Sequence, residues 1–115
     1  MTNSQSHPGA LFVYGTLMEP RTRERILGRR VDALPALLRG YRRGRTRHFY
    51  IVRDSEATTE GIVLRGLGAG DFRLLDEYEE VPRLYVRECV EVVCDGREIS
   101  AWVYVPTAWA TGRTP

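Results

Sequence analysis

Apolar positions fall in short clusters whose spacing changes along the chain, and the changes divide it into elements. Leu11-Phe12-Val13-Tyr14 is an aromatic-rich apolar run closed by Gly15, which predicts a buried strand entering a turn. Pro20 permits a helix start, with Arg21 to Gly28 giving about two turns, Ile26 and Leu27 inward, and Gly28 as the stop. Ala33 to Tyr41, which contains Pro35, reads as a strand, and His48–Arg53 and Glu60–Leu67 read as two more. Between Asp71 and Glu80 the period changes. Phe72, Leu75 and the neighbouring Leu74 and Tyr78 recur at three and four, predicting an amphipathic helix capped by Asp71 and ended before Pro82.

Leu84–Cys94 and Arg97–Val105 are β-branched and aromatic, and Asp95-Gly96 between them is a strong signal for a tight hairpin. A two-residue turn there pairs Val92 with Ile99, Val90 with Ala101 and Val86 with Val105 on a core face. It sets Cys89 against Trp102 and Arg87 against Tyr104 on the other. Residues 1–9 read as a disordered leader and residues 10–115 as one domain, with Trp109 in the tail expected to fold back onto the body. Two helices are too few for a parallel α/β sheet. The expected class is α+β, on a mainly antiparallel or mixed sheet able to curl into a small barrel.

Composition narrows the chemistry. All 17 basic residues are Arg, which removes Schiff-base catalysis, the phosphate-binding Lys of a P-loop and any lysine base. Cys89 and Cys94 stand at an odd separation in one strand, so their side chains point apart and read as reduced thiols. With His7 and His48 the only histidines, neither a metal cluster nor a histidine triad is expected. No apolar run approaches the ~20 residues of a membrane span and the start lacks a signal-peptide pattern, so a cytoplasmic location is expected. Charge is segregated: residues 1–53 carry eleven Arg against three carboxylates, residues 54–115 six Arg against twelve.

Three constellations carry candidate chemistry. In Tyr14-Gly15-Thr16-Leu17, successive N–H groups after a strand can converge on an anion, although a plain glycine turn reads the same way. In Asp76-Glu77-Tyr78-Glu79-Glu80, Glu79 lies four residues past Leu75 and seven past Phe72, on the apolar stripe. Burial there suits a carboxylate to proton transfer at neutral pH. Spacing alone favours a Glu paired with Arg83 or Arg87. The stretch Arg39, Arg42, Arg43, Arg45, Arg47, with Tyr41, Phe49 and Tyr50 interleaved, could grip phosphates and stack bases, but fits no nucleic-acid motif and reads better as a solvated surface.

Leu11 to Leu17, Glu60-Gly61, Leu75-Asp76-x-Tyr78-Glu79 and Tyr85-x-Arg87, in that order and spacing, resemble the γ-glutamylcyclotransferase-like family, most closely its AIG2-like and γ-glutamylamine cyclotransferase branch. The resemblance implies a small mixed, mainly antiparallel β-barrel flanked by short helices. It implies a small-molecule γ-glutamyl substrate held by Tyr14, Gly15, Thr16 and Leu17, with Glu79 as the catalytic acid and base. The substrate is cyclised to 5-oxoproline with release of the amine, without cofactor or metal, and neither nucleic acid nor membrane is an expected partner. Tyr85 and Arg87 become candidate partners of Glu79 or the substrate. The family commonly has Gly where this chain has Glu80, a departure that keeps a non-catalytic ligand-binding module open as the alternative, with an RNA-associated role behind it.

Overall fold

The computed structural model describes residues 8–107, so residues 1–7 of the expected leader, and Trp109 with its expected packing, lie outside the described residues. Five strands, β1 (Leu11–Val13), β2 (Asp32–Arg45), β3 (Phe49–Arg65), β4 (Tyr85–Cys94) and β5 (Arg97–Pro106), close into a barrel in the order β1-β3-β2-β4-β5. Two helices, α1 (Pro20–Leu27) and α2 (Ala69–Tyr78), pack on each other against its outside. β1 runs antiparallel to β3 and parallel to β5, so the barrel is mixed, as expected.

Strand alternation divides the interior. Phe12 and Tyr14 join Leu38, Ile51, Val63, Val92, Ala101 and Val103 inside the barrel, while Leu11 and Val13 face outward and pack with Leu27, Phe72, Leu75 and Leu84 beneath the helices. A three-residue strand buried on both faces has no room for a polar position. That explains the unbroken apolar run at 11–14.

The hairpin has the predicted register throughout, from Val92 opposite Ile99 to Arg87 opposite Tyr104. Asp95 and Gly96 have φ of 54° and 73°, the two left-handed residues of a type I′ turn. Both faces of the β5 end are covered, however: Tyr104 is buried because α2 lies over the side away from the barrel interior. Cys94 is buried and Cys89 exposed, on opposite faces.

Three boundaries differ from expectation. β2 continues to Arg45, and it tolerates Pro35 because its only pairing with β4 is at Leu37–Val93. The two strands expected between His48 and Leu67 form one strand whose pairing with β2 breaks: Arg39 faces Thr58 and Tyr41 faces Arg53, leaving residues 54–57 opposite Gly40, at φ 85°. The second helix starts three residues early, with Gly68 rather than Asp71 as N-cap. Asp71 acts from the third helical position, its Oδ2 accepting from Gly68 N at 3.0 Å.

Gly61 explains the Glu60-Gly61 motif. A Cβ there would lie 2.4 Å from the Val13 carbonyl oxygen and 2.6 Å from Cζ of Phe12, so only glycine lets β3 cross so close to β1. Gly61→Ala is expected to destabilise the fold by about 1–3 kcal/mol in denaturant melts. Gly70→Ala, within α2 with open space around it, should stabilise by about 0.5–1 kcal/mol in the same assay.

Candidate functional site

A cavity of about 270 Å³ opens where β1 ends, between the turn that follows it and the C-terminal end of α2. Its lining includes Tyr14, Gly15, Thr16 and Leu17 on one side, Glu79 and Tyr78 on another, Tyr85 and Tyr104 from the hairpin, and Arg45, Arg47 and His48 at the β2–β3 end. Every candidate in the first two constellations therefore faces one space, although they are some sixty residues apart in sequence.

The turn is one of 3-10 type over Thr16–Met18, closed by Met18 N to Gly15 O at 3.0 Å and Glu19 N to Thr16 O at 3.1 Å. The N–H groups of Gly15, Thr16 and Leu17 are not used in those two bonds. Gly15 is required by crowding: a Cβ would sit 3.0 Å from that of Phe49. Two arginines hold the turn from outside. Arg43 Nη1 donates to Tyr14 O at 2.9 Å, and the buried Arg23 donates to Met18 O at 2.9 Å and Leu17 O at 3.4 Å. No pattern in the sequence distinguishes Arg23, because helix periodicity marks apolar stripes and this buried position carries a charge.

Glu79 is the C-cap of α2, its N–H donating to Leu75 O at 2.9 Å. Among the described residues its carboxylate has neither ion pair nor hydrogen bond, and burial pushes its pKa from 4.5 up to about 7. The pairing that spacing favoured is not formed. Arg83 pairs with Glu80. Arg87 makes a two-point contact with Asp76, at 2.9 and 3.2 Å, and lies between the rings of Phe72 and Trp102, 4.7 and 4.8 Å from their centroids.

Tyrosines enclose the carboxylate. Tyr104 OH donates to Asp76 Oδ1 at 2.6 Å, Tyr14 OH to the Tyr104 carbonyl, Tyr85 OH to the Phe49 carbonyl, and Tyr78 OH bonds Thr16 Oγ1 at 2.8 Å. Desolvation, with added repulsion from Glu79, holds the phenols of Tyr14, Tyr85 and Tyr104 well above their usual range. They stay neutral. Glu79 is thus the group among these that changes protonation near pH 7.

Glu80 has φ of 56°, and its N–H donates to Glu77 O at 3.1 Å while Val81 N donates to Asp76 O at 3.0 Å. Those two bonds make a Schellman motif with Glu80 at its left-handed position, where glycine is favoured. Glu80 thus stands where glycine is favoured, and its side chain lies with Arg83. The Arg-rich stretch is exposed at all five of its arginines, in keeping with the solvated reading. Arg42 pairs with Asp54 at 3.4 Å, Arg43 donates to the Tyr14 carbonyl, and Arg45 and Arg47 line the pocket. Among the described residues no group of His, Cys, Asp or Glu is placed to hold a metal ion, and no helix is long and apolar enough to cross a membrane.

A small closed barrel with a recessed, unpaired carboxylate facing a glycine turn defines a compact pocket-bearing protein of one architectural class. The gamma-glutamyl cyclotransferase, AIG2-like family model matches residues 11–114, and the chain belongs to that family. It is 37% identical over 86 residues to AIG2-like protein C of Arabidopsis thaliana, covering 72% of this chain and 49% of the relative. It is 33% identical over 96 residues to Protein AIG2 C of the same plant, covering 81% and 57%. The chain spans about half the length of these curated relatives. A solution structure of an A. thaliana protein superposes with a TM-score of 0.76 at 27% identity, covering 100% of this chain and 74% of that one. A structure described as a gamma-glutamyl cyclotransferase shares the fold, with a TM-score of 0.73 at 21% identity over 85% of this chain and 66% of that one.

Two outcomes follow from the carboxylate and its neighbour. Because the folded state binds the Glu79 proton more tightly, the stability it contributes is fully present below pH 4.5 and lost as pH rises through about 7. Glu79→Gln should therefore match the parent in denaturant melts at pH 4 and exceed it by up to about 3 kcal/mol at pH 8. Glu80→Gly should raise stability by about 0.5–1 kcal/mol, since relief of the left-handed position outweighs an exposed ion pair.

Proposed function

We propose that this chain cyclises γ-glutamyl amines or peptides to 5-oxoproline, releasing the free amine, with Glu79 as general acid and base. The observation that carries the reading is the unpaired, desolvated Glu79 carboxylate, its pKa raised to about 7, in the pocket that the Tyr14–Leu17 turn also lines. Membership of a family of gamma-glutamyl cyclotransferases supports it.

In this reading the glutamyl α-carboxylate lies against the free N–H groups of Gly15, Thr16 and Leu17. Ionised Glu79 takes a proton from the α-ammonium, and the freed amine attacks the γ-carbonyl carbon of the same molecule. The new ring C–N bond forms as the bond to the leaving nitrogen breaks. Glu79 delivers its proton to that nitrogen, and the proton shed as the ring nitrogen becomes an amide follows the same route, so the amine departs as an ammonium ion. No covalent enzyme intermediate or cofactor is needed for the balance. Because nucleophile and electrophile share one molecule, much of the acceleration comes from holding the substrate folded. The neutral phenols of Tyr14, Tyr85 and Tyr104 donate hydrogen bonds without competing for the proton.

The test is 5-oxoproline release from a panel of γ-glutamyl amines and dipeptides, read by mass spectrometry. Glu79→Gln is expected to lower kcat by about 10²-fold or more. For the parent, kcat/KM should climb with pH on a limb centred near 7, as Glu79 ionises in the free enzyme. Undiminished release by Glu79→Gln would remove its role, and binding without turnover across the panel would favour a ligand-binding module.

A further inference from the structure

Arg45, Arg47 and His48, where β2 turns into β3, line the same pocket as Glu79. β2 ends at Arg45, and Thr46 N donates to His48 O at 3.1 Å to turn the chain into β3. Arg43 and Arg45 share a face of β2 and Arg47 follows in the turn, and the three are not equivalent. Arg43 is engaged with the Tyr14 carbonyl. Arg45 lies over the Phe49 ring, 4.6 Å from its centroid, and the Phe49 carbonyl is fixed in turn by the Tyr85 hydroxyl. Among the described residues neither Arg45 nor Arg47 has a carboxylate partner. Two guanidinium groups left unneutralised on a pocket wall, one seated on an aromatic ring, attract an anion and repel a cation.

We propose that Arg45 and Arg47 form a second anion subsite at the pocket mouth, which receives a carboxylate on the leaving side of the substrate. The inference rests on the cyclotransferase reading for its substrate and deepens it: the leaving group is an α-amino acid or peptide rather than a polyamine or simple alkylamine. Two regions of the pocket then hold the two ends of the molecule. The glutamyl end lies at the turn beside Glu79, and the leaving end lies at the β2–β3 turn. A cationic amine would set its charge against both guanidinium groups. A neutral amine would leave them without a partner.

The experiment compares three matched ligands that differ only in the leaving side: γ-glutamylalanine, its carboxamide, and γ-glutamyl-1,4-diaminobutane. Binding is measured by calorimetry on Glu79→Gln, so that no turnover intervenes, and kcat/KM on the parent. Each protein is first shown to melt cooperatively. The dipeptide is expected to bind roughly 10-fold more tightly than the carboxamide and further still ahead of the diamine, a preference that shrinks as salt rises from 0.05 to 0.5 M. Arg45→Gln and Arg47→Gln, each in the Glu79→Gln background, should bring the dipeptide to the level of the carboxamide, and Arg→Lys should restore part of the preference. Equal binding of dipeptide and carboxamide, a preference that survives both Gln substitutions, or no binding of any of the three overturns the subsite. Preferential binding of the dipeptide by Glu79→Gln with no turnover by the parent upholds the subsite and rejects the cyclisation. Turnover without preference does the reverse.

Discussion

Taking a carboxylate out of water costs several kcal/mol unless a cation or a proton compensates, and a chain with 17 arginines has compensation within easy reach. Glu79 stays unpaired because the arginines near it in sequence are engaged elsewhere. Arg87 is fixed by Asp76 and by two aromatic rings, and Arg83 by Glu80. Asp76 stands three residues before Glu79 on the same helix, so the contact that removes Arg87 also anchors the end of α2 that carries Glu79. Tyr104 OH reaches the same Asp76 oxygen, and the Tyr104 carbonyl accepts from Tyr14 OH. One chain of hydrogen bonds thus links the helix end, the hairpin and the first strand around the carboxylate. Stability given up to keep a group unpaired is characteristic of a site under functional constraint.

The remaining requirement is backbone proximity. The turn after β1 reaches the C-terminal end of α2 only if β1 sits at the centre of the barrel wall, between β3 and β5, with both faces buried. Gly61 permits the approach of β3 to β1, and Gly15 permits the approach of the turn to Phe49. Phe49 then has three contacts: its ring lies beside Gly15 and beneath Arg45, and its carbonyl accepts from Tyr85. A small set of close contacts therefore fixes the distance between the turn, the tyrosines and the mouth arginines.

Most of the fold was legible because it follows from local rules. Asp95-Gly96 determines a turn type, the turn determines the register, and the register places Arg87 opposite Tyr104. Gly28 and Pro20 bound α1 for equally local reasons. Glu79 was visible as a carboxylate on an apolar stripe, but its freedom from Arg83 and Arg87 was not, since pairing depends on which carboxylate each guanidinium reaches in space. Asp71 was misplaced as a cap because an Asp before an apolar run suits either position: as N-cap it would accept from an N–H ahead of it, whereas at the third helical position it accepts from Gly68 N behind it. The break in the β2–β3 ladder at Gly40 was read as the end of a strand, which is how a bulge presents itself along one chain. Buried Arg23 left no trace, since its partners are backbone carbonyls, which carry no residue identity.

The uneven distribution of charge acquires a spatial meaning from the barrel. Arg29 and Arg42 of the basic half pair with Asp71 and Asp54 of the acidic half, so the two halves are joined rather than segregated into separate bodies. Where compensation is incomplete, at the pocket, the basic half contributes Arg45 and Arg47 and the acidic half contributes Glu79. Burial has already lifted Glu79 toward its neutral form near pH 7, so the positive groups opposite dominate the field inside the cavity whenever the proton is on. Loss of that proton reverses the balance at one wall only. A pocket whose two ends differ in this way favours a ligand that is itself polarised, with an ammonium toward the helix end and an anionic group toward the strand turn.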